Sequence, residues 1–221
     1  MAIVLNGTTH QLRSDSFGAS RPSAYSIATW WRADAIPSTS ATQGIIGIQN
    51  TVEFPNDLGD LFISWGHNIA TFRNVAYVHT AGGSYAATNT AGSASASTWY
   101  HRAATYTAGA LKFFENGSQV GATATPTVTA GSPSDWIIAV GGTGTGVNGR
   151  VAGRVCMIGY WDVQLSDAEA AALGKGAAPH LVRPQSLRYY VPGLRDANAA
   201  KGVTNTASNL TYSGDNPRIY L

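Results

Sequence analysis

The chain has 221 residues, 12% of them charged and 44% hydrophobic, with 14 basic against 12 acidic residues and a net charge of +2. That length supports one well-buried core, while the lack of any Lys or Arg run excludes the electrostatic footprint of a nucleic-acid binder. The single cysteine, Cys156, excludes an internal disulfide framework and a CxxC metal pair, and no apolar stretch approaches the ~18 residues that mark a membrane span.

From the N-terminus, β-branched and aromatic runs recur between turn signals: Ile3 to Leu5, Tyr25 to Trp31, Gly44 to Gln49, Leu61 to Trp65, Val75 to Thr80, Tyr100 to Thr107, Lys112 to Glu115, Trp136 to Gly141 and Arg154 to Trp161. Short strands at this spacing predict an all-β, two-layer antiparallel sandwich. Within Tyr25-Ser-Ile-Ala-Thr-Trp-Trp, Tyr25, Ile27 and Thr29 share one face and Trp30 takes the other, as a half-buried strand requires. Trp30, Trp65, Trp99, Trp136 and Trp161 fall in or beside these strands and are expected in the core, with Trp30 and Trp99 as its anchors. Residues 80–98 are uncharged and poor in bulky apolar side chains, which predicts an exposed hairpin or loop carrying Tyr85 as its one exposed aromatic.

Leu111-Lys-Phe-Phe-Glu runs into Asn116-Gly117, a hairpin tip in which both central residues need positive φ. Ser166-Asp-Ala-Glu169 has the spacing of a capping box and opens a single short helix that Gly174 should stop. Beyond it Pro179, Pro184, Pro192 and Pro217 interrupt a stretch whose basic residues outnumber Asp196 and Asp215. The chain therefore divides into a sandwich over 1–175 and an extended C-terminal arm, or an edge-strand extension, over 176–221.

The residues that chemistry would need are mostly missing. Glycoside hydrolysis takes two carboxyls about 5–9 Å apart, yet the glutamates are Glu53, Glu115 and Glu169 alone. Glu169 belongs to its capping box and Glu115 is expected to face solvent. For calcium, the best oxygen donors are Asn56, Asp57 and Asp60 with Glu53, although Asn and Asp beside Pro55 and Gly59 are also ordinary turn formers. His10, His67, His79, His101 and His180 lack zinc-ligand spacing, and Cys156 reads as a small core hydrophobe. No nucleophile elbow occurs, and Gly141-Gly-Thr-Gly-Thr-Gly146 lacks the Lys of a phosphate loop. No catalytic residue is expected, and no cofactor other than the calcium alternative.

Three blocks resemble the laminin-G-like, concanavalin A-like jelly-roll family: Tyr25-Ser-Ile-Ala-Thr-Trp-Trp-Arg32, then Trp99-Tyr-His-Arg-Ala-Ala-Thr-Tyr106 with Leu111-Lys-Phe-Phe-Glu-Asn-Gly117, then Asn148-Gly-Arg-Val151 through Tyr160 to Leu173. They occur in family order, and Leu5-Asn-Gly7 is similar to the family's opening strand. The resemblance implies a jelly-roll sandwich over residues 1–175. Where relatives place an acidic residue in the closing strand this sequence has Ala152 and Gly153, which weakens the case for a family-type metal site. The fold also implies that a glycan is an available ligand, since aromatic side chains stack on sugar faces.

The tail is similar to those that follow such jelly rolls in tailed-bacteriophage and prophage proteins, on the string His180-Leu-Val-Arg-Pro-Gln-Ser-Leu-Arg-Tyr-Tyr-Val-Pro-Gly-Leu194 and the ending Tyr-Ser-Gly-Asp-Asn-Pro-Arg218. Its apolar residues need a surface to cover. Either Leu187 to Val191 adds an edge strand to the sandwich, or the tail is an interface in which Tyr189 and Tyr190 pack on a neighbour and Arg183, Arg188 and Arg195 meet its carboxylates. Together these readings imply a non-catalytic structural protein of a bacteriophage virion. A surface low in charge suits packing against repeated partners, so the expectation is a capsid decoration protein that contacts the major capsid protein and forms homo-oligomers. The alternative is a carbohydrate-binding or receptor-binding module of a phage tail or fibre. Neither nucleic acid nor a membrane is an expected partner, and a start at Met1 without a signal fits a virion protein made in the host cytoplasm.

Overall fold

A computed structural model of the chain describes residues 2–14, 17, 22–35, 43–50, 61–65, 74–80, 83–88, 95–125, 136–141, 152–193, 200–202, 205–208 and 210–217. In chain order these form β1 (Ala2–Asn6), β2 (Gln11–Ser14), β3 (Tyr25–Ala33), β4 (Gln43–Asn50), β5 (Leu61–Trp65), β6 (Asn74–Thr80), β7 (Gly83–Thr88), β8 (Tyr100–Thr107), β9 (Ala110–Glu115), β10 (Ser118–Gln119), β11 (Trp136–Val140), β12 (Ala152–Trp161), the helix α1 (Asp167–Gly174), β13 (Leu187–Val191), β14 (Asn205–Ser208) and β15 (Thr211–Ser213). Every predicted strand coincides with one of these to within a residue or two. Of the hairpin and loop readings for 80–98, the hairpin is present at its start: β7 pairs with β6 from Val75↔Thr88 to Thr80↔Gly83.

The strands form two antiparallel sheets. The front sheet runs β10-β9-β8-β3-β12-β1-β15 and the back sheet β14-β2-β11-β4-β5-β6-β7. β12 is the long strand of the front sheet. Along one edge it pairs with β3, and along the other it pairs first with β1 and then with β13. The change of partner falls at a bulge, where the β3 register shifts between Cys156 and Gly159 and Met157 adopts φ +52°. Such a bulge bends and twists a strand, which lets one strand serve two neighbours. Met157 donates its backbone N–H to Pro192 and so ties the bulge to the chain leaving β13.

The predicted hairpin tip is present: Asn116 and Gly117 have φ of +50° and +83° between Glu115 and Ser118, which pair. The capping box is complete. Ser166 accepts from the Glu169 amide, and the Glu169 carboxylate accepts from the Ser166 amide. Gly174 is not the stop, however; it is the last helical residue, and the left-handed turn comes at Gly176, φ +100°.

Alternation along the strands sorts side chains into two apolar clusters. Between the sheets, Ile3, Leu5, Tyr25, Ile27, Trp31, Phe113, Ile158 and Tyr160 meet Leu12, Ile46, Ile48, Ile63, Ile138 and Val140. On the outer face of the front sheet, Ala28, Ala103, Phe114 and Trp161 lie under Leu165, Ala170, Leu173, Val182 and Leu187. The core anchors are consequently Trp31 and Trp161, both fully buried, whereas Trp30 and Trp99 are partly exposed. The inward face of β3 carries the odd-numbered residues through Ala33, which takes Trp31 in and leaves Trp30 out.

The tail folds onto the sandwich. β13 pairs with β12, β14 with β2 and β15 with β1. Among the described residues, no helix is long and apolar enough to cross a membrane.

Candidate functional site

The helix and the segment after it cover only part of the outer face of the front sheet. On the remainder, β-pairing sets Trp30 beside His101 on one flank and Cys156 on the other, and places Arg32 opposite Arg154. The Trp30 and His101 rings meet edge to face with centroids 5.5 Å apart. Trp99, two residues before His101, shares its face.

The C-terminal segment closes this strip from the other side. Asp215, just beyond β15, accepts a hydrogen bond from the Trp99 indole N–H at 3.2 Å and forms an ion pair with Arg32. Arg154 pairs with Asp34. Two partly exposed indoles thus lie beside two guanidinium–carboxylate pairs, with 41% of the Asp215 side chain and 18% of that of Arg32 exposed. His101 beneath Trp30 is buried, and burial lowers its pKa to about 3, so the imidazole is neutral. An indole face offers an apolar platform, while a carboxylate and a guanidinium offer an acceptor and a donor. That is the chemistry of a polyhydroxylated ring with one apolar face.

A second charged feature lies between the sheets. Arg102, fully buried, contacts the Glu115 carboxylate at 3.0 Å and stacks over Trp31 and Tyr100 at 4.9 and 5.4 Å. Burial lowers its pKa to about 10 against the opposing pull of Glu115, which leaves the guanidinium charged at neutral pH. The expectation that Glu115 faces solvent is corrected: its side chain is 15% exposed and points to Arg102. Strand alternation puts Glu115 on the same face as Phe113, toward the interior.

The other predicted site residues fall in several places. Asn56, Asp57 and Asp60, with Glu53, lie outside the described residues, as does Arg195. Tyr85 is on β7, the end strand of the back sheet, and not in a loop; its side chain lies outside the description. Tyr189 and Tyr190 are buried in the chain's own clusters. Arg183 pairs with Glu169 and Arg188 with Asp162. β13 places Tyr189 and Tyr190 against the front sheet, while Arg183 reaches back to the helix and Arg188, on β13, stays largely exposed beside Asp162.

Burial pushes the Glu169 carboxyl up, but hydrogen bonds from Ser166 and Arg183 outweigh it and hold the group below its ordinary value. Cys156 is buried as expected, and burial raises its thiol to about 12. Among the described residues, no group of three or more His, Cys, Asp and Glu is placed to hold a metal ion.

Sequence reasoning missed both the strip and Arg102. The signal for the strip was the Trp30-Trp31 dipeptide, since alternation sends one indole inward and the other outward. The part played by Asp215 has no local signal, because it depends on how the tail folds back.

A two-sheet antiparallel jelly roll with an aromatic strip outside its front sheet has the architecture of a lectin-like domain. The sequence profile described as the Concanavalin A-like lectin/glucanases superfamily matches residues 6–171, and the chain belongs to that laminin-G-like family. No relative among curated proteins matches by sequence. Among solved structures, the chain is similar to the native heptameric SAP-like pentraxin from Limulus polyphemus, with 14% identity, a TM-score of 0.62 and coverage of 94% of this chain and 95% of that one. It is similar to domain 4 of AbnA, a GH43 extracellular arabinanase from Geobacillus stearothermophilus, solved with arabinotriose. There the identity is 18%, the TM-score 0.59 and the coverage 78% and 76%. The enzymatically active domain of tailspike protein 2 of bacteriophage CBA120 matches with 12% identity, a TM-score of 0.54 and coverage of 77% of this chain and 26% of that one. At these identities the likeness is one of fold.

Proposed function

We propose that the chain is a non-catalytic carbohydrate-binding module and that the strip of Trp30, Trp99, Arg32 and Asp215 is its binding surface. The observation that carries the reading is the placement of two partly exposed indoles beside an ion pair on one sheet face. Support comes from the family and from a domain of the same fold solved with arabinotriose. The non-catalytic part rests on how carboxylates are used. Among the described residues Glu115 and Glu169 are held by Arg102 and Arg183, and the strip's carboxylates by Arg32 and Arg154.

We place the module on the tail or a fibre of a phage particle, a reading supported by the tailspike domain of the same fold. The capsid-decoration role expected from surface composition draws support from none of these neighbours, and Tyr189 and Tyr190, offered for its interface, are buried in the chain's own core. Homo-oligomerisation remains part of the proposal, supported by the heptameric pentraxin.

The test is a glycan array probed with the full chain, followed by titration calorimetry. Binding of at least one saccharide class is expected, reduced tenfold or more by Trp30→Ala or Trp99→Ala in folded protein. Absence of binding to every saccharide at millimolar concentration would overturn the reading.

A further inference from the structure

We infer that the Trp30–Trp99 strip takes a neutral saccharide with adjacent hydroxyls, in preference to a sialic or uronic acid. The inference rests on the carbohydrate-binding reading and specifies its ligand. It comes from counting charge around the indoles. Among the described residues of the strip, Arg32 and Arg154 are the cations and Asp215 and Asp34 the anions, each cation already on its own anion. The buried imidazole beside Trp30 adds no charge.

An acidic sugar binds well where a guanidinium is available to take its carboxylate in a forked pair. Here the incoming carboxylate would have to displace Asp215 from Arg32. It would lose the existing pair and the Trp99 hydrogen bond that Asp215 accepts, leaving two anions beside one cation. A neutral sugar meets no such conflict. One hydroxyl donates to Asp215 Oδ1, the carboxylate oxygen beside the Trp99 indole N–H, while its neighbour accepts from Arg32, and the apolar ring face lies on an indole. The ion pair is kept, and both of its members gain a partner.

Asp215 decides the selectivity, and it belongs to neither β3 nor β8. It follows β15, whose pairing with β1 from Val4↔Thr211 to Ala2↔Ser213 fixes where the segment leaves the sheet edge. The Asp215 amide also donates to the Ser213 hydroxyl at 3.2 Å, which orients the carboxylate's backbone. The tail therefore supplies the acceptor of a site whose platform comes from the sheet.

The experiment titrates the full chain with neutral oligosaccharides of arabinose, galactose, glucose and N-acetylglucosamine, and with sialyllactose and an oligogalacturonate, at low and high salt. Tryptophan fluorescence and calorimetry are the readouts. A neutral sugar should bind at least tenfold more tightly than either acid, with an affinity that salt leaves within twofold, since no net charge is being paired. Asp215→Asn, which frees Arg32, should narrow or invert that preference, and Arg32→Gln should weaken neutral binding without creating acid binding. Tighter binding of an acidic sugar that fades with salt would overturn the inference while leaving a carbohydrate-binding module. Neutral binding untouched by Asp215→Asn, Arg32→Gln and Trp30→Ala, all folded by circular dichroism, would overturn it by removing the site. Should Trp30→Ala not fold, the two polar variants decide. Failure of every saccharide to bind is the separate result that sinks the carbohydrate reading itself.

Discussion

Gly174, the last residue of α1, packs so closely on Gly117 of the β9–β10 turn that a Cβ on Gly174 would lie 2.1 Å from the Gly117 amide nitrogen. The neighbouring atoms belong to backbone and cannot swing aside. Helix propensity alone favours Ala over Gly by up to about 1 kcal/mol, whereas overpacking costs about 1–3 kcal/mol. The contact decides the sign. Gly174→Ala should lower stability in urea unfolding, and an unchanged or higher midpoint would show that the helix does not rest on the turn.

Trp31 and Trp30 are adjacent in sequence and face opposite sides of β3. Trp31→Ala should cost about 3–5 kcal/mol, because its indole is fully buried between the sheets beside Arg102. Trp30→Ala should cost markedly less, since part of that side chain already meets solvent. Guanidinium unfolding of both variants measures the difference. Equal losses would mean that the faces of β3 have been assigned the wrong way round.

His101 gives the protein a pH dependence of definite sign. Burial holds its folded-state pKa at about 3, against 6.5 for an ordinary imidazole. Below pH 6.5 the unfolded chain takes up a proton that the folded chain refuses. Stability is therefore full above 6.5 and declines as the pH falls toward 3, by at most about 1.4 kcal/mol per pH unit from this group. Thermal melts between pH 7 and 5, above the range where carboxylates protonate, should show that decline, and His101→Gln should flatten it. A parent protein whose melting temperature holds level across that interval would contradict the buried, neutral assignment.

The parts of the fold that were legible in the sequence are those set by local rules. Asn116-Gly117 dictates a turn because few residue pairs accept two positive φ angles, and Ser166 with Glu169 caps a helix by contacts within one turn. The nine strands carry enough β-branched and aromatic residues to be read from period alone. β2, β10, β14 and β15 are short and polar, and they are strands only because a partner is already there to bond with. The site was less legible than the fold. Trp30 was expected in the core because it lies within a strand block, whereas alternation says only that Trp30 and Trp31 face opposite ways, and which face is inward is set by the strands and sheet packed around β3. Asp215 and Arg102 matter through partners that are remote in sequence or on the next strand, which periodicity does not register.

The pairing of Ala2 with Ser213 and of Ser14 with Asn205 bears on how the molecule is made. Its first two strands each have a neighbour that leaves the ribosome long after they do. Until synthesis has passed residue 208 the outer edge of β2 is unsatisfied, and until it has passed residue 213 that of β1 is, so each sheet waits for its own late strand. Such sequence-distant pairings place a protein among slow folders, and a lingering nascent chain with open edges is prone to joining others of its kind. Ribosome-bound intermediates arrested before residue 205 should accordingly be protease-sensitive and chaperone-dependent, with native resistance appearing only when the last strands emerge.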